Sequence, residues 1–268
     1  MQAKVYIHNC LNSSMNITDL RKISGLPIKL KGNKLVFGKG MKKVVPEGRT
    51  RERMAAVLKN PKAKAPKEFY DMYRDVAMEK DRKKIMANNL RFDITILPAF
   101  NVGDEPNKTF GHYHPKVPKT KTWWPELYEI LSGHAHYLLQ NGSEFLVFDA
   151  KPGDKCLMLP GFAHVTVNPS SKEPLVMANW VYPGFKSNYG PIEKLQGAQW
   201  YETSKGFVKN KKYKKNPPVQ LISSKSFPEF GYSNSRPMYP DAIKNPKKFE
   251  WLSKPQKYLK KFAEYRKQ

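Results

Sequence analysis

Hydrophobic and polar residues alternate in short runs along the middle of the chain. In the clearest run, Phe92, Ile94 and Ile96 share one face of an extended segment and alternate with polar residues. Turn-forming residues separate most runs, with Asn141-Gly142 predicting a two-residue hairpin turn. The pattern predicts strands at residues 91–97, 109–114, 126–131, 135–140, 143–148, 156–160, 164–168 and 174–182. Short strands without helices between them predict an all-β sandwich or barrel.

The segments on the N-terminal side of these strands carry weaker patterns. Residues 4–7 and 34–37 are short apolar pieces, which predict strands or an edge hairpin. Residues 49–58 show the apolar spacing of a helix, and Thr50 is a candidate N-cap. Residues 69–76 alternate well enough to predict one more strand.

The pattern loosens again after residue 201 into a lysine-rich stretch. Residues 245–266 combine apolar and basic positions, interrupted by Pro255, and predict a short amphipathic helix packed on the barrel. We therefore expect three parts: an N-terminal extension with edge strands at 1–45, a barrel domain at 46–205, and a basic C-terminal extension with a short helix at 206–268.

The cysteines and the apolar runs bear on the compartment. Cys10 and Cys156 are the two cysteines and lie far apart in the sequence, so no disulfide framework is expected. The N-terminus has charged and polar residues where a signal peptide has an apolar core, which predicts a reducing, cytoplasmic location. No run of about 18 apolar residues occurs, so no membrane span is predicted.

The positive charge is confined to the two flanks. Residues 1–90 carry 21 Lys and Arg against 8 Asp and Glu, a net +13, and residues 203–268 carry 17 against 4, also +13. Residues 91–202 carry 10 against 11, a net −1. Basic flanks are compatible with contact to nucleic acid or another polyanion. Lysine outnumbers arginine 39 to 9, however, and arginine is preferred for forked phosphate recognition, which favours simple surface charge.

The candidate chemistry lies between residues 109 and 168. In a strand, His112 and His114 would point to one face. Glu126 and His164 follow, which completes a set of three nitrogen donors and one oxygen donor. Such a set suits a borderline divalent metal and leaves one or two coordination positions open for a substrate.

The spacing around these residues resembles the two-part cupin signature. Six residues separate Glu126 from Gly133, and Gly153 lies eleven positions before His164. The first part of the signature is longer than usual, because eleven residues separate His114 from Glu126. Residues 115–125 are therefore expected to loop out so that Glu126 returns to the metal. The resemblance implies a cupin barrel, which is a double-stranded β-helix or jelly roll.

The short sequence motifs around these residues resemble those of one cupin family, the archaeal-type glucose-6-phosphate isomerases. That family shares the Thr-x-Gly-His-aromatic-His run at 109–114, a Glu-x-Tyr strand at 126–128 and an Ala-His-x-Thr-Val-Asn run at 163–168. Glu173-Pro174 follows the last run, as it does in the family. The resemblance covers about residues 45–205.

The resemblance implies an aldose–ketose isomerase of glycolysis and gluconeogenesis that interconverts glucose 6-phosphate and fructose 6-phosphate. One divalent metal per subunit is implied, with Fe²⁺, Mn²⁺, Ni²⁺ and Zn²⁺ all suited to the donors, and so is a homodimer. The implied metal ligands are His112, His114, Glu126 and His164. The implied catalytic residues are Glu126 and Tyr128. The implied substrate-binding residues are Tyr70, Thr95, Thr109, Gly111, Tyr128 and Tyr182.

Two other functions stay open at this point. A cupin barrel could serve as a binding or structural module whose basic flanks bind a polyanion. A metal site that no longer functions in catalysis would, however, be expected to have lost one of its histidine ligands. Another metal cupin enzyme, such as a dioxygenase or a different sugar-phosphate isomerase, would use the same donors. His134 and His136 form a second same-face pair, and Glu129 is a second carboxylate near Glu126; both lie outside the signature and are interpreted as incidental.

Overall fold

The computed structural model describes residues 17–267, in which short strands alternate with tight turns. The strands are β1 (Ile17–Asp19), β2 (Ile28–Lys31), β3 (Lys34–Phe37), β4 (Glu47–Thr50), β5 (Glu68–Tyr73), β6 (Arg91–Leu97), β7 (Asn101–Val102), β8 (Glu105–Pro106), β9 (Glu126–Ser132), β10 (Ala135–Gln140), β11 (Phe145–Ala150), β12 (Lys155–Met158), β13 (Ala163–Val167), β14 (Leu175–Val181), β15 (Trp200–Thr203), β16 (Gly206–Lys209) and β17 (Val219–Ile222). The α-helices are α1 (Arg21–Ser24), α2 (Arg51–Met54), α3 (Arg82–Ala87), α4 (Gly190–Lys194), α5 (Met238–Lys244) and α6 (Leu259–Lys267). Short 3₁₀ turns lie at Ala55–Val57, Glu79–Asp81, Pro228–Phe230, Pro246–Leu252 and Pro255–Lys257.

Two sheets face each other and enclose the core. One has the order β12-β9-β14-β6-β5-β4 and is antiparallel throughout, and the other has the order β13-β10-β11-β17. Tyr137 of β10 reaches across, because its hydroxyl donates to Met177 Sδ of β14 at 3.3 Å and its ring lies 5.1 Å from that of Tyr128 in β9. The prediction of an all-β cupin barrel is confirmed.

Two local predictions within the barrel were wrong. Residues 109–114 form no regular strand; His112 forms an isolated bridge with His164 of β13, and Tyr113 forms one with Asn188. Gly111 explains this, because its φ of +80° interrupts an extended ladder. The turn between β10 and β11 has four residues, since the Asn141 side chain accepts hydrogen bonds from the backbone of both Ser143 and Glu144.

The N-terminal flank packs on the barrel. The strand expected at 34–37 is β3, and it pairs with β2, a strand that the sequence pattern did not predict, whereas the piece at 4–7 lies outside the described residues. Thr50 caps α2 by accepting a hydrogen bond from Arg53 N at 3.4 Å, but the helix is shorter than predicted and continues only as a 3₁₀ turn. The strand expected at 69–76 is β5.

The C-terminal flank also joins the barrel core. Strand β17 is an edge strand of the four-stranded sheet and pairs in parallel with β11. The amphipathic helix expected within 245–266 is divided into two 3₁₀ turns and α6, and Trp251 and Phe262 from this segment are buried in the main hydrophobic cluster. The expected boundaries after residues 45 and 205 stay a prediction. Among residues 17–267, no helix is long and apolar enough to cross a membrane.

Candidate metal centre and active-site cavity

Three histidines and one glutamate converge inside the barrel. His112 and His114 lie in the loop beside β13, His164 lies on β13, and Glu126 begins β9. The Nε2 atoms of His112 and His114 are 3.2 Å apart, and Glu126 Oε2 lies 3.4 Å from His114 Nε2 and 3.3 Å from His164 Nε2. One donor atom from each of the four residues lies within 4.8 Å of every other. The predicted ligand set therefore surrounds a single point.

Burial and mutual contact set the charge of these side chains. Burial, reinforced by the neighbouring imidazoles, lowers the pKa of His112 well below its ordinary value, and burial also lowers the pKa of His164. Burial opposes ionisation of Glu126, but its contacts with His114 and His164 bring the pKa of the carboxyl well below its ordinary value. Neutral imidazoles beside an ionised carboxylate are the protonation states that bind a cation.

Two further contacts hold the ligands in orientation. His114 Nδ1 lies 2.9 Å from the carbonyl oxygen of Trp124, which leaves Nε2 facing the centre. Asn179 Nδ2 donates to Glu126 Oε1 at 2.6 Å, so Oε2 is the oxygen that faces the imidazoles. Trp124 lies near the end of the loop at 115–125, which folds back on itself through a hydrogen bond from Val117 N to the Thr122 oxygen at 2.9 Å. The loop thus returns Glu126 to the site, as its length required.

The arrangement fits a divalent cation. Donors bound to one cation at about 2.1 Å lie roughly 3.0–3.4 Å apart. The His112–His114, His114–Glu126 and His164–Glu126 separations of 3.2 to 3.4 Å lie within that range. Within residues 17–267, Glu126 Oε2 and His164 Nε2 are buried and have no hydrogen-bond partner. Buried polar atoms left in this state are costly unless a ligand satisfies them. The chemistry of the donors and these two atoms indicate a metal site.

A cavity opens above this centre, and the predicted substrate residues line it. Its wall includes all four candidate ligands together with Tyr70, Thr95, Thr109, Gly111, Tyr128 and Tyr182. Burial raises the pKa of Tyr128 well above its ordinary value, so its hydroxyl stays protonated and able to donate. The structure thus brings every residue of the predicted site to one cavity.

One side of the cavity presents hydroxyl groups that can still donate. Thr109 Oγ1 accepts a hydrogen bond from Thr166 N at 2.9 Å, and the Tyr70 hydroxyl oxygen accepts one from Phe110 N at 3.2 Å. Because the backbone N–H groups supply these hydrogens, each hydroxyl keeps its own hydrogen for a ligand. The backbone of Gly111 lies in the same wall.

An aromatic stack forms another side. Tyr182 and Phe185 both stack on Trp124, with ring centroids 5.3 and 5.2 Å apart, and Phe185 lies 4.5 Å from the His114 ring. The loop at 115–125 therefore supplies an orienting carbonyl, and its Trp124 ring packs behind Tyr182 and Phe185, which line the cavity. Its length gave no indication of either contribution.

Sequence analysis missed a group of polar residues behind the ligands. Asn179 lies in β14, and Asp93 lies in β6 directly opposite it. Arg74 Nη1 and Arg91 Nη2 each lie 2.8 Å from Asp93 Oδ2, and both arginines line the cavity. Asn179 and Asp93 are polar residues within largely apolar strands, and this pattern could have indicated the group, because a buried polar side chain requires a hydrogen-bonding partner.

The alternative carboxylate, Glu129, points away from the centre. Its Oε1 lies 2.7 Å from Lys155 Nζ, and its Oε2 accepts a hydrogen bond from Met238 N at 3.1 Å. Burial raises the pKa of Glu129 to about 7. Glu129 therefore belongs to a buried ion pair on the opposite side of β9, as its one-residue offset from Tyr128 implies.

Replacing Gly111 with Ala is expected to destabilise the protein by about 1–3 kcal/mol. A Cβ atom there would lie 2.4 Å from Val165 Cγ2 and 3.3 Å from the His164 oxygen, at a φ of +80° that disfavours side chains. Urea unfolding measures the loss. The matched control is Gly142→Ala, which has a φ of +93° but no atom within 4 Å. Equal losses in the two variants would contradict the close approach of residue 111 to β13.

The amino-acid sequence of this chain matches a known protein family over most of its length. A sequence model described as glucose-6-phosphate isomerase (GPI) matches residues 48–218, which is more than half of the 268 residues. The chain belongs to the glucose-6-phosphate isomerase family. The match contains all four candidate metal ligands and every lining residue named above.

Two curated relatives of this family are archaeal. The glucose-6-phosphate isomerase of Thermococcus litoralis is 32% identical over 123 residues, which are 45% of this chain and 60% of that protein. The glucose-6-phosphate isomerase of Thermococcus gammatolerans is 32% identical over 125 residues, which are 46% of this chain and 61% of that protein. The chain thus spans about 60% of the length of these relatives.

Solved structures with related folds are more distant. A predicted oxalate decarboxylase from Thermotoga maritima is 21% identical with a TM-score of 0.33, covering 52% of this chain and 91% of that one. The oxalate decarboxylase of Lactobacillus farciminis is 18% identical with a TM-score of 0.35, covering 50% of this chain and 35% of that one. The strand pairing within the present chain, rather than these partial superpositions, defines its fold.

Proposed function

We propose that this protein is a metal-dependent aldose–ketose isomerase that interconverts glucose 6-phosphate and fructose 6-phosphate. The observation that carries the proposal is the convergence of three imidazoles and one carboxylate within 4.8 Å, in the wall of a cavity lined by hydroxyl groups. Membership of the glucose-6-phosphate isomerase family points to the same substrate pair.

The metal ligands in this proposal are His112, His114, Glu126 and His164. A divalent cation held by them would polarise the O1 and O2 oxygens of the open-chain sugar and offset the negative charge that develops there. Nitrogen and carboxylate donors suit Fe²⁺, Mn²⁺, Ni²⁺ or Zn²⁺. Asn179 and the Trp124 carbonyl fix the ligand atoms in place, so little reorganisation is needed when the cation and the sugar bind.

Glu126 is the proposed carrier of the proton between C1 and C2. Its Oε1 already accepts one hydrogen bond, from Asn179, and a carboxylate oxygen retains a second lone pair that can take a proton from the sugar. Tyr128, whose protonated hydroxyl lines the same cavity, is placed to donate to a sugar oxygen. A direct hydride shift between the carbons would need neither group as a base.

The phosphate is proposed to bind at the hydroxyl-lined side of the cavity. Thr95, Thr109 and Tyr70 can each donate a hydrogen bond to a phosphate oxygen, and Gly111 allows close approach of the backbone. Tyr182, in the aromatic stack, would cover the sugar. With the phosphate bound there, C1 and C2 of the sugar would lie towards the histidine cluster.

A coupled assay with fructose 6-phosphate tests the proposal directly. Purified protein loaded with a divalent metal is expected to form glucose 6-phosphate, and a run in D₂O distinguishes the two routes for hydrogen. Solvent deuterium in the product supports proton transfer through Glu126, whereas complete retention of the substrate hydrogen supports the hydride shift. Absence of turnover with every one of the four metals would overturn the assignment.

Replacing Glu126 with Gln is expected to lower kcat by about 10²- to 10⁴-fold, because the amide cannot accept the proton. Metal content measured on the same sample reports whether the residue is also a ligand. The matched control is Glu250→Gln, where the carboxylate is paired with Lys254 on the far C-terminal segment. Wild-type turnover in the Glu126 variant would exclude its role as the base.

The homodimer, which the family resemblance implies, and the cytoplasmic location, which the cysteines and the N-terminal sequence predict, both stay predictions. Sedimentation velocity of the purified protein tests the first, and fluorescence of a tagged chain in the source cells tests the second. Contact of the basic flanks with a polyanion is tested by measuring RNA binding at increasing salt, because counterion release makes such binding fall steeply with ionic strength.

A further inference from the structure

A second group of metal-binding side chains lies on the four-stranded sheet. His136 of β10 stands directly opposite Asp149 of β11, and His134 lies just before β10. One donor atom from each of these three residues lies within 4.8 Å of the others. His134 Nε2 contacts Asp149 Oδ1, and His136 Nε2 lies 3.9 Å from the same oxygen.

This group faces away from the central cluster. Neighbouring residues on a strand point to opposite faces, and Tyr137 of β10 points inwards, where its hydroxyl contacts Met177. His136 and Asp149 therefore project from the outer face of the sheet. The same alternation places His164 of β13 inside the barrel, opposite Leu139 of β10. The sheet itself separates the two groups.

Glu202 gives the outer group an orientation that a chance cluster lacks. His136 Nδ1 donates to Glu202 Oε1 at 2.6 Å, and the Glu202 side chain is 10% exposed. In the neutral ring, a hydrogen on Nδ1 leaves the lone pair on Nε2, which lies 3.9 Å from Asp149 Oδ1. A carboxylate behind a histidine ring is the arrangement that orients and strengthens histidine ligands in metal sites.

We propose that His134, His136 and Asp149 form a second metal site, which takes a borderline divalent cation such as Zn²⁺. Two imidazoles and one carboxylate are the donors of many three-ligand zinc sites, and they disfavour Mg²⁺ and Ca²⁺, which prefer oxygen ligands. His134 and Asp149 are 44% and 64% exposed, so the remaining coordination positions face solvent. Glu202 is a positioning residue of this site.

The site would join parts of the fold that are distant in sequence. His136 and Asp149 come from adjacent strands of the four-stranded sheet and His134 lies just before one of them, whereas Glu202 belongs to β15 of the separate β15–β16 hairpin. Cation binding is therefore expected to hold that hairpin against the outer face of the sheet through His136. This consequence is independent of sugar chemistry in the cavity.

Zinc stoichiometry tests the proposal without any measurement of activity. Each protein is dialysed to equilibrium against micromolar Zn²⁺, and bound zinc is counted by elemental mass spectrometry. The wild type is expected to hold one equivalent more than Asp149→Asn and one more than His134→Asn. Because the central ligands are unchanged in all three proteins, the difference reports the outer site alone. Equal zinc content in the three proteins would overturn the proposal.

Asp154→Asn is the matched control for the stoichiometry. Asp154 lines the same outer surface as His134 and Asp149, and its Oδ2 accepts a hydrogen bond from Lys151 N at 3.0 Å, which an asparagine oxygen can still accept. This variant is expected to keep the full wild-type zinc content. Loss of one equivalent here would indicate a non-specific effect of surface charge and would count against the proposed ligands.

Glu202→Gln tests the positioning role. The amide oxygen can still accept the hydrogen bond from His136 but lacks the negative charge, so zinc affinity at the outer site is expected to fall about 10- to 100-fold. Competition with a chromophoric zinc chelator measures the change, and the stoichiometry at saturation should stay that of the wild type. Unchanged affinity would remove Glu202 from the site.

Discussion

Replacing His164 with Ala is expected to lower kcat/KM for fructose 6-phosphate at least about 10³-fold. His164 supplies one of four donor atoms, and its Nε2 lies 3.3 Å from Glu126 Oε2 in the buried centre. Its loss removes one of the four proposed metal ligands and leaves Glu126 without one of its two imidazole contacts. Removing the metal from the wild type with a chelator is expected to have the same effect, and added divalent metal should restore turnover.

Two measurements keep this result interpretable. Circular dichroism shows whether the His164 variant is folded, and elemental analysis shows whether it has lost metal. The control is Val208→Ala, which shortens a side chain that is 41% exposed on β16 and should leave turnover unchanged. Full activity in chelated wild-type protein, or normal metal content in an active His164 variant, would contradict the proposed centre.

The second large effect concerns the C-terminal segment. Trp251→Ala is expected to lower the free energy of unfolding by about 3–5 kcal/mol. Trp251 is fully buried, its Nε1 donates to the Phe230 oxygen at 2.9 Å, and its ring stacks on Phe230 with centroids 4.7 Å apart. In a chain of this size, such a loss lowers Tm by roughly 6–20 °C, which calorimetry measures.

The design separates global from local destabilisation. Leu259→Ala, which shortens a 53% exposed side chain in the same segment, is expected to change stability by no more than about 0.5 kcal/mol. Trp251→Phe keeps a stacking ring without the donor and should fall between the two. If the main transition of Trp251→Ala matched that of the wild type, the segment would be an appendage rather than part of the barrel core.

The prediction of the central ligand set did not depend on the incorrect prediction of a strand at 109–114. His112 and His114 were placed on one face of a strand at 109–114, yet Gly111 breaks that strand at a φ of +80°. The two imidazoles nevertheless meet, because isolated bridges attach the loop to β13 beside His164. The chemistry of the donors and their intervals in the chain carried the prediction, and the regular strand was not required for it.

Other features depended on pairings between distant parts of the chain. Asn179 reaches Glu126 because β14 lies beside β9, and the Arg74–Asp93–Arg91 group forms because β5 and β6 are neighbours. Glu202, 66 residues from His136 in the sequence, contacts it only because the β15–β16 hairpin packs on the outer face of the four-stranded sheet. Such contacts are invisible to periodicity, which reports the face of a strand but not its partner.

The amino-acid sequence by itself was enough to predict the class of fold and the candidate donors of the central site. Alternating apolar residues specify strands locally, and the intervals between histidines and glutamate specify which side chains are able to share a cation. Only the tertiary structure decided how Asn179 and the Trp124 carbonyl orient those donors, and that His136 of the outer group has the Glu202 carboxylate behind its ring. The reason is physical: side-chain type and face are local properties, whereas orientation within hydrogen-bonding distance arises from packing between strands that are far apart in the chain.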